Sequence, residues 1–350
     1  MSENENIADE GRWIAAPCWH NCGGRCSVKV LVKDGRVVRS KTDDTHPDSW
    51  EHPQARSCAL GHAMRQQIYG EDRLKYPMKR KHWEPHGGGD KSLRGRDEWV
   101  RISWDEALDI VADEIKYARE TYGLRSVFFN NMINLENYWG GVLSATGGYV
   151  DATGTQSTGT FGLNVGMLGY AQSTSGTMSN DRMDIENSDY VVLYGHNASW
   201  CAFGNPSYYL KHAKEKGCKF VCVGPDFHAT AMFTNAEWIP VCPGGDTAFL
   251  IGVAYVMLQE DQSGSLIDWG FLDKYTVGFD SEHMPEDAVT DESFVDYLTG
   301  KYDGVEKTPE WASERCGTPI EFFYRFAEIM GCKNNVSTHA CAAPARAKGS

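Results

Sequence analysis

Asp189-Tyr-Val-Val-Leu-Tyr-Gly195, a helix-forming stretch from Tyr208 to Lys216, and Lys219-Phe-Val-Cys-Val-Gly224 decide the fold. The two outer segments are nearly unbroken apolar runs, the pattern of strands buried on both faces of a parallel sheet. A helix between two such strands makes a βαβ unit. The turns that follow, Gly195-His-Asn197 and Gly224-Pro225-Asp226, then fall at the carboxyl ends of neighbouring strands, where open α/β sheets bind nucleotides. Pro243-Gly244-Gly-Asp246 opens a further helix, Thr247 to Glu260, whose N-terminus can face a phosphate or a base. The chain has no G-x-G-x-x-G, so any nucleotide is held by another loop chemistry.

Upstream, the segment from Gly140 to Gly176 is rich in Gly, Ser and Thr and poor in charge, yet apolar residues (Tyr149, Val150, Phe161, Leu163, Met167) recur through it. That mixture suits a buried loop that approaches a large ligand with its backbone. Before it, Ser103-Trp-Asp-Glu106 reads as a capping box, and Leu108, Val111, Ile115 and Ala118 form one helical face that Gly123 ends. A buried strand, Ser126-Val-Phe-Phe, is expected next. Together these make a second α/β layer.

At the N-terminal side, Cys18-Trp-His-Asn-Cys22-Gly-Gly-Arg-Cys26 is followed at a distance by Cys58. Four thiolates of this spacing can ligate one four-iron four-sulfur cluster, one per iron. Zinc stays open on spacing alone, since its ligand gaps run up to four residues, and disulfides would need an oxidising compartment. Asp34-Gly35, between two alternating segments, signals a hairpin, so a small β domain carries the cysteines. Of the other seven cysteines, most read as buried thiols.

The 350 residues carry a net charge of −14, which argues against a nucleic-acid groove or an anionic membrane as the main partner. The longest apolar run, Ala248 to Leu258, is too short to span a bilayer and reads as a buried helix. With neither a basic n-region nor an apolar h-region at Met1, the expectation for the chain as written is the cytoplasm.

Read together, the cysteines, Tyr76-Pro-Met-Lys-Arg80, Arg101-Ile-Ser-Trp-Asp-Glu-Ala-Leu108, Gly147-Gly148, Ser157-Thr-Gly159, Asp184-Ile-Glu-Asn-Ser188, Pro243-Gly-Gly-Asp246, Phe271-Leu-Asp-Lys-Tyr275 and Gly317-Thr-Pro319 stand in one order. In that order the chain resembles the N-terminal half of the catalytic subunits of the dimethyl sulfoxide reductase family of molybdenum enzymes. The resemblance implies a [4Fe-4S] cluster on Cys18, Cys22, Cys26 and Cys58, and a bis-molybdopterin guanine dinucleotide holding molybdenum, or tungsten. It makes Ser157 the ligand of that metal, with Asp151 and Thr155 as rivals in neighbouring registers. Gly195, Asn197, Gly224, Pro225, Asp226, Gly244 and Asp246 would hold one guanine dinucleotide arm.

The implied fold is α/β: a β-rich iron–sulfur domain over residues 1–80, an α/β domain with the metal-ligand loop over 81–170, and a Rossmann-like pterin dinucleotide domain over 171–350. The implied reaction removes oxygen reductively from an S- or N-oxide, with electrons delivered through the cluster. The expected partners are a small oxidised acceptor, an iron–sulfur electron-transfer subunit and a membrane-anchor subunit, with no nucleic acid and no membrane span of its own.

Two departures from the family pattern stand out. Leu60 occupies the place two residues after the fourth cysteine where the family often has Lys or Arg; Arg56, His62 and Arg65 are nearby substitutes. The stretch between Asn130 and Gly147 is shorter than in the sulfoxide reductases, which leaves Tyr138 and Trp139 as candidate substrate contacts and admits a catechol-type reductive dehydroxylase. The alternative of another class is a truncated, non-catalytic module for electron transfer or assembly.

Overall fold

The computed structural model describes residues 11–18, 26–129, 136–151, 181–200, 206–289 and 291–340. The chain divides into two compact units, one of residues 66–156 and one formed by residues 1–65 together with 157–350.

The larger unit begins with an antiparallel sheet in the order β1 (Arg12–Pro17), β2 (Ser27–Lys33), β3 (Arg36–Thr42). Asp34 and Gly35, both at positive φ, make the expected hairpin turn. Helix α1 (Ala59–Tyr69) starts directly after Cys58.

In the smaller unit, β4 (Met78–Arg80) pairs with β5 (Trp99–Arg101), α2 spans Trp104–Tyr122, and β6 (Phe128–Phe129) lies parallel to β7 (Val150–Asp151), with α3 (Glu136–Ala145) before it. Ser103 caps α2 by accepting from the Glu106 amide at 3.0 Å, and Gly123 closes the helix. The reciprocal half of the expected capping box is replaced: the Glu106 carboxylate pairs with Lys79 Nζ at 2.8 Å. Arg119 ties α2 to the turn after α3 by donating to the carbonyls of Thr146 (2.7 Å) and Gly148 (2.6 Å).

The strand expected from Ser126 shrinks to two residues, and Phe128 is exposed. Leu108 and Val111 are also exposed, 58% and 57%. Among the described residues, the two paired dipeptides offer too little apolar surface to cover a helix of 19 residues.

Back in the larger unit, the βαβ element appears as read: β8 (Tyr190–Tyr194), α4 (Pro206–Lys216) and β9 (Lys219–Gly224), followed by α5 (Ala229–Thr234) and β10 (Glu237–Pro240). Helices α6 (Asp246–Glu260), α7 (Trp269–Tyr275), α8 (Phe294–Leu298), α9 (Pro309–Cys316) and α10 (Glu321–Met330) lead to β11 (Val336–Ala340). The four strands form one parallel sheet in the order β10-β9-β8-β11. Val191, Val192, Leu193, Val221, Cys222 and Val223 are almost fully buried, as strands covered on both faces require. One face packs Val192, Val221 and Ile239 on Phe249 and Val253 of α6 and on Phe323 and Phe326 of α10. The other packs Val191, Leu193 and Phe220 on Leu210 and Ala213 of α4.

From β8 the chain steps through β9 to β10, then returns by α6–α10 to add β11 on the opposite side of β8. The strand order therefore reverses between β8 and β11, and a crevice at such a switch point is where doubly wound sheets seat their ligands.

Candidate cluster and cofactor site

The cysteine site is built where the β sheet meets α1. The Cys18 amide donates to the Cys26 carbonyl at 2.8 Å, which holds the first and third cysteines together, while Cys22 lies outside the described residues. Cys58 enters from the other side, its carbonyl accepting from the His62 amide at 3.0 Å in the first turn of α1. Gly61 lies between them. A Cβ there would stand 3.4 Å from Cys18 Sγ and collide with Ser57 Oγ, so the bare backbone keeps a cradle open beside the thiol. No disulfide joins the described cysteines. The Cys18 thiol beside a glycine cradle, with the Ser57 hydroxyl shielded and without a partner among the described residues, fits a group that brings its own acceptor atoms, as an iron–sulfur cluster does.

Leu60 is 52% exposed and supplies no charge. The three nearby basic residues are committed elsewhere: Arg65 donates to the Val38 carbonyl at 2.9 Å, His62 Nδ1 meets the Ser40 carbonyl at 3.2 Å, and Arg56 pairs with Asp48.

The cysteine segment is seated on the parallel sheet's outer helix. Trp50, in the loop leading to Cys58, stacks on His212 of α4 with ring centroids 3.5 Å apart and planes 12° from parallel. Arg56 lies over the Tyr208 ring at 3.7 Å. Beneath them Glu186 holds His212 Nε2 at 2.7 Å and Lys216 at 3.7 Å. The His212 hydrogen bond, with smaller help from Lys216 and Trp50, keeps the Glu186 carboxyl below the usual range.

At the carboxyl edge of the sheet the structure brings together Gly195, Asn197, Gly224, Pro225, Asp226, Gly244 and Asp246. The Gly195 amide donates to the Val223 carbonyl at 2.8 Å, which aligns the turns after β8 and β9. Asn197 Oδ1 accepts from the buried Thr230 hydroxyl of α5 at 2.7 Å. Pro225 and Asp226 are exposed in the turn after β9. Gly245, the residue before α6, packs so closely on Cys316 that a Cβ would come within 2.6 Å of its Cα, which draws the helix N-terminus against the sheet. No side-chain hydrogen bond caps that N-terminus, and uncapped first-turn amides are a site for negative charge.

Tyr194, the last residue of β8, is buried, with its hydroxyl beside the Asp246 carboxylate. Burial, and next the negative charge of Asp246, push its pKa up. The switch point adds His196 and His339, ring centroids 6.5 Å apart. Burial, then the neighbouring charges, hold both imidazoles below their usual range, His339 at about 4. Beside them a cavity of about 470 Å³ is lined by Asp181, Arg182, Asp184, Ser337 and His339.

Sequence reasoning missed Tyr194, His196, His339 and Ser57. His196 lay inside a quoted turn, but His339 is brought alongside only by the register that pairs it with Leu193 of β8. Ser157 and Thr155 lie outside the described residues, whereas Asp151 is exposed in β7. Tyr138 and Trp139 are both exposed on α3, 5.6 Å apart edge to face. Among the remaining cysteines, Cys222 and Cys316 are buried, and burial raises the Cys222 thiol to about 12; Cys242 and Cys332 are exposed.

A thiol-bearing β sheet seated on a parallel α/β sheet is the build of a cluster-dependent pterin enzyme. Two family models match accordingly: the molybdopterin oxidoreductase Fe4S4 domain over residues 12–70 and the molybdopterin oxidoreductase domain over 73–293. The chain belongs to the molybdopterin oxidoreductase family, and with membership come its cofactors, an iron–sulfur cluster and a molybdenum-bearing bis-pterin guanine dinucleotide.

Among its relatives are the dimethyl sulfoxide reductases DmsA of Haemophilus influenzae (35% identical, 94% of this chain, 40% of the relative) and Escherichia coli (35%, 91% and 39%). The trimethylamine-N-oxide reductase of H. influenzae is 32% identical over 89% of this chain and 37% of its own length. The acetylene hydratase of Pelobacter acetylenicus shares the fold, with a TM-score of 0.62 at 19% identity over 94% of this chain and 40% of that one. The chain thus spans about two fifths of the length of these relatives. No described helix is long and apolar enough to cross a membrane.

Proposed function

We propose that the chain is the catalytic subunit, or the N-terminal part of the catalytic subunit, of a molybdenum-dependent oxidoreductase that removes oxygen reductively from an S- or N-oxide. The observation that carries this reading is the seating of the cysteine segment on the dinucleotide-type sheet, Trp50 on His212, within one unit. It packs the cysteine segment and the parallel sheet into one unit. The similarity to sulfoxide and amine-oxide reductases supports the class of acceptor.

In this reading Cys18, Cys22, Cys26 and Cys58 hold the cluster, and Ser157 ligates the molybdenum. Gly195, Asn197, Gly224, Pro225, Asp226, Gly244 and Asp246 hold one guanine dinucleotide arm. The metal supplies two-electron chemistry at an oxidised acceptor, and the cluster supplies single electrons. The chain's own part is positional. The bare backbone at Gly195 and Gly244 admits phosphate oxygens to amide donors, and the uncapped amides of α6 face negative charge. A carboxylate at Asp246 accepts from guanine amino groups or ribose hydroxyls. The neutral imidazoles of His196 and His339 add donors without a second positive charge beside Arg182. Electrons arrive from a separate iron–sulfur subunit, and membrane attachment, where it occurs, is through an anchor subunit.

Ser157→Ala tests the metal ligand. Reductase activity with a viologen dye should be lost and the molybdenum(V) resonance should change while the iron and sulfide content stays at the wild-type level; an unchanged resonance would place the ligand elsewhere. The same dye assay tests the substrate class. Turnover of sulfoxides with catechols untouched is expected, and the reverse would make the protein a dehydroxylase.

A further inference from the structure

The residue before the fourth cysteine carries an unused hydroxyl. Ser57 Oγ is shielded from solvent and has no hydrogen-bond partner among the described residues. Its own amide is anchored, donating to Thr42 Oγ1 of β3 at 3.2 Å, which fixes the residue between the β sheet and the start of α1. The volume it faces is the one that Gly61 keeps open: a Cβ on residue 61 would collide with Ser57 Oγ and stand 3.4 Å from Cys18 Sγ. Hydroxyl and thiol therefore border the same small space. A buried hydroxyl left without a partner is costly, and such groups in native folds answer to something bound beside them.

We propose that Ser57 donates a hydrogen bond to a sulfur of the cluster, a bridging sulfide or a cysteine thiolate, and so raises its reduction potential. A proton shared with an electron-rich sulfur stabilises the reduced cluster more than the oxidised one, because the reduced form carries the additional negative charge. The place where a cation would exert the same effect holds Leu60, and Arg56, His62 and Arg65 are engaged with Asp48, Ser40 and Val38. The hydroxyl thus does by a hydrogen bond what a side-chain charge would do by its field. Ser57 is a positioning and tuning residue, not a ligand, since four cysteines complete the iron coordination.

The inference rests on the cysteines being cluster ligands, and its test separates the two. Wild type, Ser57→Ala and Ser57→Thr are purified without oxygen, analysed for iron and acid-labile sulfide, and titrated against potential with the reduced cluster followed by electron paramagnetic resonance. With equal iron and sulfide in all three, the midpoint of Ser57→Ala should move to more negative potential and that of Ser57→Thr, which keeps the hydroxyl, should stay with the wild type. Equal midpoints in all three, or equal shifts in both variants, would overturn the proposal while leaving the cluster assignment intact. A wild type without iron would fail the assignment itself. Electron–nuclear double resonance on reduced wild type exchanged into D2O adds a reading that does not depend on any variant assembling. A strongly coupled exchangeable deuteron, retained in Ser57→Thr, is expected, and its absence from the wild type would overturn the proposal.

Discussion

His339 shows what a single residue at the switch point costs the fold. Its pKa falls to about 4 because burial disfavours the imidazolium and His196 and Arg182 add to the penalty. An unfolded chain has no such restraint and takes up the proton near pH 6.5. The neutral ring's contribution is therefore whole above pH 6.5 and drains away as the pH falls toward 4, reaching a loss on the order of 2 kcal/mol by pH 5. Thermal melts at pH 7 and pH 5 should show a larger fall for wild type than for His339→Gln, by roughly 4 °C. Parallel falls would mean that the imidazole titrates normally. This residue was not legible beforehand, because nothing local marks it; only the pairing of β11 with β8 sets it beside His196. The four cysteines were legible, since their spacing states the chemistry without any knowledge of the fold. Ser57 was hidden for a different reason, as a serine beside a cysteine has no signature until its burial and missing partner are seen.

At the scale of elements, the apolar continuity of β8 and β9 was readable because strands buried on both faces have no polar alternation to blur them. The helix α2 was also readable, but its burial was not, for periodicity tells which face is apolar and not what covers it. The seam between the cysteine segment and α4 was invisible in sequence, since it joins Trp50 and Arg56 to residues more than 150 positions away. Stacking of the indole on His212, with Tyr208 and Tyr209 packed at 5.8 and 5.9 Å, makes Trp50 the anchor of that seam. Its truncation to alanine removes an aromatic that is half-buried, a loss of about 2 kcal/mol. Melts should detect that loss, and limited proteolysis should cut the loop before Cys58 faster in Trp50→Ala than in Trp50→Phe. A change below about 0.5 kcal/mol, within the usual range for surface positions, would show that the seam is incidental.

For the molecule as a whole, one unit carries both the cysteine segment and the parallel sheet. The thiols lie at the β sheet, the nucleotide-type edge lies at the parallel sheet, and the Trp50 seam joins them. An excess of negative charge sits well with this arrangement, since neither site asks for a basic surface. The central claim is that the cysteines serve electron transfer beside a pterin-bound metal, and elemental analysis addresses it without assuming a substrate. Purified without oxygen and assayed for iron, acid-labile sulfide, molybdenum and zinc, the protein should hold about four irons and four sulfides per chain, together with molybdenum. Zinc in place of iron would contradict the account.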